Sequence, residues 1–230
     1  MSTTSKKAYV YKMKLGPANV LCILIFLLCY IPTIILRSDL SYGNIKLDFF
    51  IVLLCLILYL GFHEVLHGIG YLVGGCKSKN IQYGVCLEKG IFYAMAYQEL
   101  TKKNILISLQ MPFMVIGVIT YIISYIFGIP LLMFLSIVNL SGASMDLAMF
   151  IYISRLKNVT YSESGQPDEF VLISDNDLTK KKSIFLKVVD VKDYKKEDYV
   201  FPKRKKIVIS KASFIILLVL LGLGIVNMFL

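Results

Sequence analysis

Apolar residues in this chain gather into long unbroken runs instead of alternating with polar ones. The runs span about Ala18 to Leu36, Asp48 to Val73, Ile105 to Phe127, Leu131 to Ile153 and Ala212 to Leu230. A helix of about 20 apolar residues crosses a hydrocarbon core of about 30 Å, so the pattern predicts an all-α polytopic protein with about five transmembrane helices. Shorter alternation appears at Ile81 to Leu87 and Gly90 to Gln98, split by Glu88-Lys89-Gly90, and predicts a small β-hairpin. After Arg155 the sequence turns mixed and charged, with strand-like runs at Phe170 to Ile173 and Ser183 to Val191 and loop signals at Gly165-Gln166-Pro167. The chain thus divides into an amino-terminal arm, first helix and outer loop over residues 1–47, a membrane core over 48–153 with its hairpin in 76–104, a basic segment over 154–211 and a last helix over 212–230.

Composition agrees with a lipid environment: 57% of the 230 residues are hydrophobic and the mean hydropathy is +0.71. The net charge of +10 raises the question of nucleic acid. Of the 25 Lys and Arg, however, only Arg37 and Lys46 fall outside residues 1–14, 76–103 and 155–211. Charge confined to alternate connections follows the positive-inside rule, so no nucleic-acid partner is expected. The basic face is expected to meet anionic lipid in the cytoplasm. The first run lacks a convincing small-residue cleavage site and reads as a retained helix with its amino terminus inside. Three of the five cysteines, Cys22, Cys29 and Cys55, lie in apolar runs, and Cys76 and Cys86 lie on the inner side. Neither a disulfide framework nor a cysteine zinc site follows from that spacing.

The second run carries both histidines of the protein, in His63-Glu64-Val65-Leu66-His67. On a helix, residues four apart lie one turn apart on one face, close enough to share a metal ion. In H-E-x-x-H the histidines ligate zinc and the glutamate takes a proton from the water. Hydrogen-bonded core histidines, or a clamp for haem, would give the same pair. The lipid setting favours the metal, because each buried ionisable group costs on the order of 2.5 to 3.5 kcal/mol on insertion scales.

A depth match adds a third ligand. Asp146 lies nine residues before Arg155, and His67 ten before Lys77, on two helices that both run inward. His63, Glu64, His67 and Asp146 are the titratable His, Asp and Glu side chains well inside the predicted spans. Zn²⁺ with ionised Glu64 and Asp146 sums to zero formal charge, which offsets the cost of burying two carboxylates. Asn139, two turns before Asp146, can donate to a substrate carbonyl or developing oxyanion. It can equally serve as a polar contact between helices, beside the small residues Ser141 to Ser144.

The histidine motif on one span, followed two spans later by Asn139 and Asp146, resembles the intramembrane zinc metalloproteases of the site-2 protease type. It resembles more closely a family of small bacterial membrane proteins grouped as zincin peptidases. The resemblance covers about residues 48–153 and implies a three-helix catalytic core in a multi-pass bacterial cell-membrane protein. It implies zinc on His63, His67 and Asp146, with Glu64 and Asn139 in catalysis and a membrane protein or peptide as substrate. The chain departs from the site-2 pattern in having Gly142 in place of a proline and Leu147 after the aspartate, with the Asn-to-Asp interval one residue shorter. Two other readings remain: a catalytically silent membrane binding or scaffold protein of the same fold, and a metal or proton transporter, which would need a polar path through outer halves that hold few polar side chains. The oligomeric state is not legible in the sequence.

Overall fold

The computed structural model describes residues 6–45, 47–86, 91–164, 166 and 168–195. Strand β1 (Lys7–Met13) leads into helix α1 (Leu15–Leu36), and two short 3-10 turns connect it to α2 (Phe49–Val73). Asp48 caps α2 by accepting the Phe50 N–H at 2.7 Å. Beyond α2 come the hairpin β2 (Ile81–Cys86) and β3 (Ile91–Ala96), then β4 (Leu100–Thr101). Helix α3 (Lys102–Pro112) passes through a π-helical stretch, Phe113–Ile119, into α4 (Thr120–Phe127). Gly128 closes α4 in the left-handed conformation, φ 69°. Helices α5 (Pro130–Gly142) and α6 (Ser144–Ser154) follow, and strands β5 (Val159–Glu163), β6 (Glu169–Ser174) and β7 (Leu186–Asp193) complete the described fold.

Among the described residues, three helices are long and apolar enough to cross a membrane: Leu15–Leu36, Phe49–Val73 and Lys102–Phe127. The pair α5 and α6 makes a fourth if counted as one span, bent by 46°. Leu28, Ile35 and Phe127 are each more than 70% exposed, a surface suited to lipid rather than water. These spans suggest a multi-pass membrane protein. The fifth expected run, Ala212 to Leu230, lies outside the described residues. The continuous helix expected over Leu131 to Ile153 is instead broken at Ala143.

The all-α class is corrected to mixed α/β. A five-stranded antiparallel sheet, in the order β4-β5-β6-β1-β7, stands at the end of the helices where α1 and α3 begin and α2 and α6 finish. The basic arm before α1 supplies an inner strand of it, with Lys7 opposite Ser174 on β6 and opposite Asp193 on β7. Burial drives this strand into place. Tyr9 and Tyr11 are 2% and 1% exposed, and the Tyr11 ring stacks on Phe170 at 5.3 Å between centroids. Each such ring contributes roughly 1.5 to 3 kcal/mol by leaving water. The apolar face of the sheet packs on Ile105, Leu109, Met149 and Ile153, so sheet and helices share one core. The hairpin β2–β3 forms where the sequence predicts it, pairing Ile81 with Ala96.

Helices α2 and α3 approach closely through glycine. A Cβ on Gly70 would stand 2.5 Å from the Ser108 Cα, and one on Gly74 would stand 2.8 Å from the Asn104 Cβ. Two small residues four apart on one face permit this backbone contact.

Sheet and α2 also meet at a buried carboxyl. Glu163, at the end of β5, is 5% exposed, and the Tyr71 hydroxyl donates to its Oε1 at 3.4 Å. Burial pushes the Glu163 carboxyl up to about 7, against hydrogen bonds from Tyr161, the Ala96 N–H and Tyr71 that pull it down. From its ordinary value of 4.5 up to about 7, the unfolded chain has released this proton while the folded chain keeps it. Folding stability from this group therefore falls as pH rises through that window and levels off above it, by at most about 3 kcal/mol. Thermal unfolding in detergent from pH 4.5 to 8 should show that decline in the wild type and a flatter profile in Glu163→Gln.

Candidate metal centre

His63, His67 and Tyr71 recur every four residues along one stripe of α2, and the stripe faces α3, α5 and α6. The bend at Ala143 starts a new helix just before Asp146. Its carboxylate thus lies in the first turn of α6, where the positive end of the helix dipole favours an anion. The structure brings the three predicted ligands together. His63 Nε2 is 3.2 Å and His67 Nε2 is 3.4 Å from Asp146 Oδ2, and the two Nε2 atoms are 3.1 Å apart.

The protons of this cluster are fixed by its surroundings. The Asn139 amide donates through Nδ2 to the Pro112 carbonyl at 3.1 Å. That contact turns Oδ1 towards His63, whose Nδ1–H donates to it at 2.7 Å. On the other ring, His67 Nδ1–H donates to the Ser108 carbonyl at 3.0 Å, and the Ser108 hydroxyl returns a bond to the His67 carbonyl at 2.9 Å. With Nδ1–H committed in this way, Nε2 of each ring faces its partner. Both Nε2 atoms and a carboxylate oxygen converge on a common point, where a cation balances the carboxylate.

The spacing suits that cation. Tetrahedral bonds of about 2.0 to 2.1 Å put neighbouring donor atoms about 3.3 to 3.4 Å apart, and the observed separations run from 3.1 to 3.4 Å. His63, His67 and Asp146 form a cluster able to hold a metal ion, and two imidazoles with one carboxylate are donors that zinc accepts.

Glu64 lies between the stripe and the hairpin, beside Phe92 and Tyr93 of β3. It lines a cavity of about 380 Å³ together with His63, His67, Asp146 and Glu163. On its other side it borders a smaller groove of about 250 Å³ walled by Gly61, Val65, Tyr83, Val85 and Phe92. Asn139 is 2% exposed and does not appear among the residues lining the cavity. Its amide is engaged by His63 and Pro112, so it stands behind the ligands.

Sequence reasoning missed Ser108 and Glu163. Ser108 acts through its backbone carbonyl, which leaves no mark in the sequence. Glu163 lay in the segment read from its charge as a basic stretch after the membrane core, and the alternation Val159, Tyr161, Glu163 in one strand was its available signal.

Residues 56–161, just under half of the chain, match the family model described as "Putative zincin peptidase". No curated protein and no solved structure matches the chain. The matched stretch begins within α2 and ends within β5, and leaves out β1, β6 and β7. It contains His63, Glu64, His67, Asn139 and Asp146, so the likeness to zincin peptidases falls on the part of the chain that builds the metal-binding cluster, and that family's chemistry implies zinc.

Proposed function

We propose that the protein is a zinc-dependent peptidase that hydrolyses a peptide bond within or beside a membrane-spanning segment. The observation that carries the reading is the convergence of two Nε2 atoms and one carboxylate oxygen at 3.1 to 3.4 Å, with both Nδ1 atoms engaged elsewhere. His63, His67 and Asp146 would hold the ion, and three protein ligands are the number found in catalytic rather than structural zinc sites. When bound, the ion supplies Lewis acidity that polarises the scissile carbonyl and acidifies water. Glu64 accepts the proton of the attacking water and passes it to the leaving amine.

The two spaces that meet at Glu64 support a membrane-borne substrate. The groove beside Gly61 and Val65 is apolar and suits a hydrophobic chain. The larger cavity holds the charged side chains of the site and lies towards the strand-bearing end of the helices, where most of the basic residues collect. That end we assign to the cytoplasm by the positive-inside rule, and water reaches the site from there.

Asn139 serves this site as a positioning residue. Its bond to His63 fixes the tautomer and the ring plane, and outer-shell partners of this kind typically contribute 10- to 100-fold in metal affinity.

Zinc content and peptide cleavage test the reading together. Purified wild type and Glu64→Gln should each hold one zinc per chain, and cleavage of a membrane-segment peptide should fall on the order of 10²- to 10⁴-fold in Glu64→Gln. His67→Ala should lose both metal and cleavage. Equal turnover by wild type and Glu64→Gln would remove Glu64 from the mechanism.

Titration with a zinc chelator separates two roles for Asn139. Asn139→Leu should weaken zinc binding about 10- to 100-fold, with Asn139→Asp restoring much of the affinity. An oxyanion role would instead lower kcat and leave the zinc affinity of Asn139→Leu unchanged.

A further inference from the structure

The charge of the cavity is opposite to that of the chain. The protein carries +10 overall. Yet among the described residues the charged ones lining the cavity, beside the two histidines, are Glu64, Asp146, Glu163, Asp168 and Glu169, with no Lys or Arg. A divalent ion with Glu64 and Asp146 sums to zero formal charge. At the rim, Lys12 reaches Asp168 at 3.3 Å and Glu169 at 3.4 Å. Among the described residues, no Lys or Arg pairs with Glu163.

Its surroundings stabilise a carboxylate without neutralising it. Tyr71 donates at 3.4 Å, and Tyr161 and the Ala96 N–H donate as well. All three are uncharged, and a buried ion without a counter-charge costs several kcal/mol. A cation delivered into the cavity would remove that cost.

The position fits a substrate side chain. Tyr71, which donates to Glu163, lies one helical turn beyond the ligand His67, about 5.4 Å along α2. An extended peptide advances about 3.3 Å per residue and presents alternate side chains to the same face. A residue one or two places from the bond cleaved at the metal therefore reaches Glu163. Spanning segments also carry Lys and Arg at their cytoplasmic flank, on the side where this cavity opens.

We propose that Glu163 forms a subsite for a lysine or arginine side chain of the substrate, adjacent to the scissile bond. The proposal rests on the peptidase reading. Glu163 acts in it as a specificity residue that contacts substrate and takes no part in the proton transfers. The carboxyl that burial holds partly protonated near neutral pH gives up its proton when the cation arrives.

The test measures binding apart from turnover. Fluorescein-labelled peptides, amidated at the carboxyl end and blocked at the amino end, carry a leucine-rich run followed by one lysine, or by norleucine in its place. Fluorescence anisotropy follows their binding to detergent-solubilised, zinc-loaded Glu64→Gln protein. The lysine peptide should bind about tenfold more tightly than its norleucine counterpart, the advantage expected of one charge-assisted contact. Adding Glu163→Gln should reduce that advantage to about twofold or less, whereas Glu163→Asp, which keeps the charge, should preserve part of it. Equal binding of the two peptides to the Glu64→Gln protein would overturn the subsite, and so would an advantage undiminished by Glu163→Gln. Wild-type cleavage with no basic preference sinks the subsite alone. A lysine preference in binding with no cleavage by wild type sinks the peptidase reading.

Discussion

Two imidazole nitrogens and a carboxylate oxygen lie within 3.1 to 3.4 Å of one another, and the surrounding helices are arranged to hold them there. Each ring nitrogen that could have relieved the contact is committed elsewhere, His63 Nδ1 to Asn139 and His67 Nδ1 to Ser108. In a medium of low dielectric a carboxylate beside two imidazoles needs a cation to balance it, and the spacing of the three donors suits a divalent metal.

The rest of the membrane core can be understood as support for that contact. Gly70 and Gly74 allow α3 to lie against α2, and this approach carries the Ser108 carbonyl to His67. The π-helical stretch after Pro112 alters the carbonyl pattern of the third span. Pro112 then accepts from Asn139, while Ile116 accepts from Tyr59 and from Thr120. A side chain on Gly117 would collide with Leu140, so this small residue keeps Asn139 within reach of both partners. The bend at Ala143 places Asp146 at a helix start, where the dipole favours its charge. Backbone irregularities at membrane depth are tolerated where neighbouring groups satisfy the freed polar atoms, and here they fall beside the cluster.

Much of this was legible in the sequence, for reasons that differ by residue. The spans announce themselves because lipid imposes length and apolarity on them. His63, Glu64, His67 and Asp146 stand out because ionisable groups are scarce at that depth, and counting from the flanking charges aligned the aspartate with the histidines. Strand β1 escaped notice since seven residues with lysines at both ends look like a topogenic arm. Its tyrosines become core only when β6 and β7, more than 150 residues later, pair with it. The break at Ala143 and the π-helical stretch depend on tertiary contacts that no local pattern encodes. Asn139 was visible, but its partners were not: one is a ring on another span and the other a backbone carbonyl.

The central claim is that His63, His67 and Asp146 together bind one divalent ion. Zinc K-edge X-ray absorption on the purified protein tests it most directly. The account predicts one zinc per chain with about two imidazole nitrogens and light oxygen donors at about 2.0 to 2.1 Å, and a changed first shell in Asp146→Ala. A sulfur-dominated shell, or a spectrum unaltered by Asp146→Ala, would contradict it.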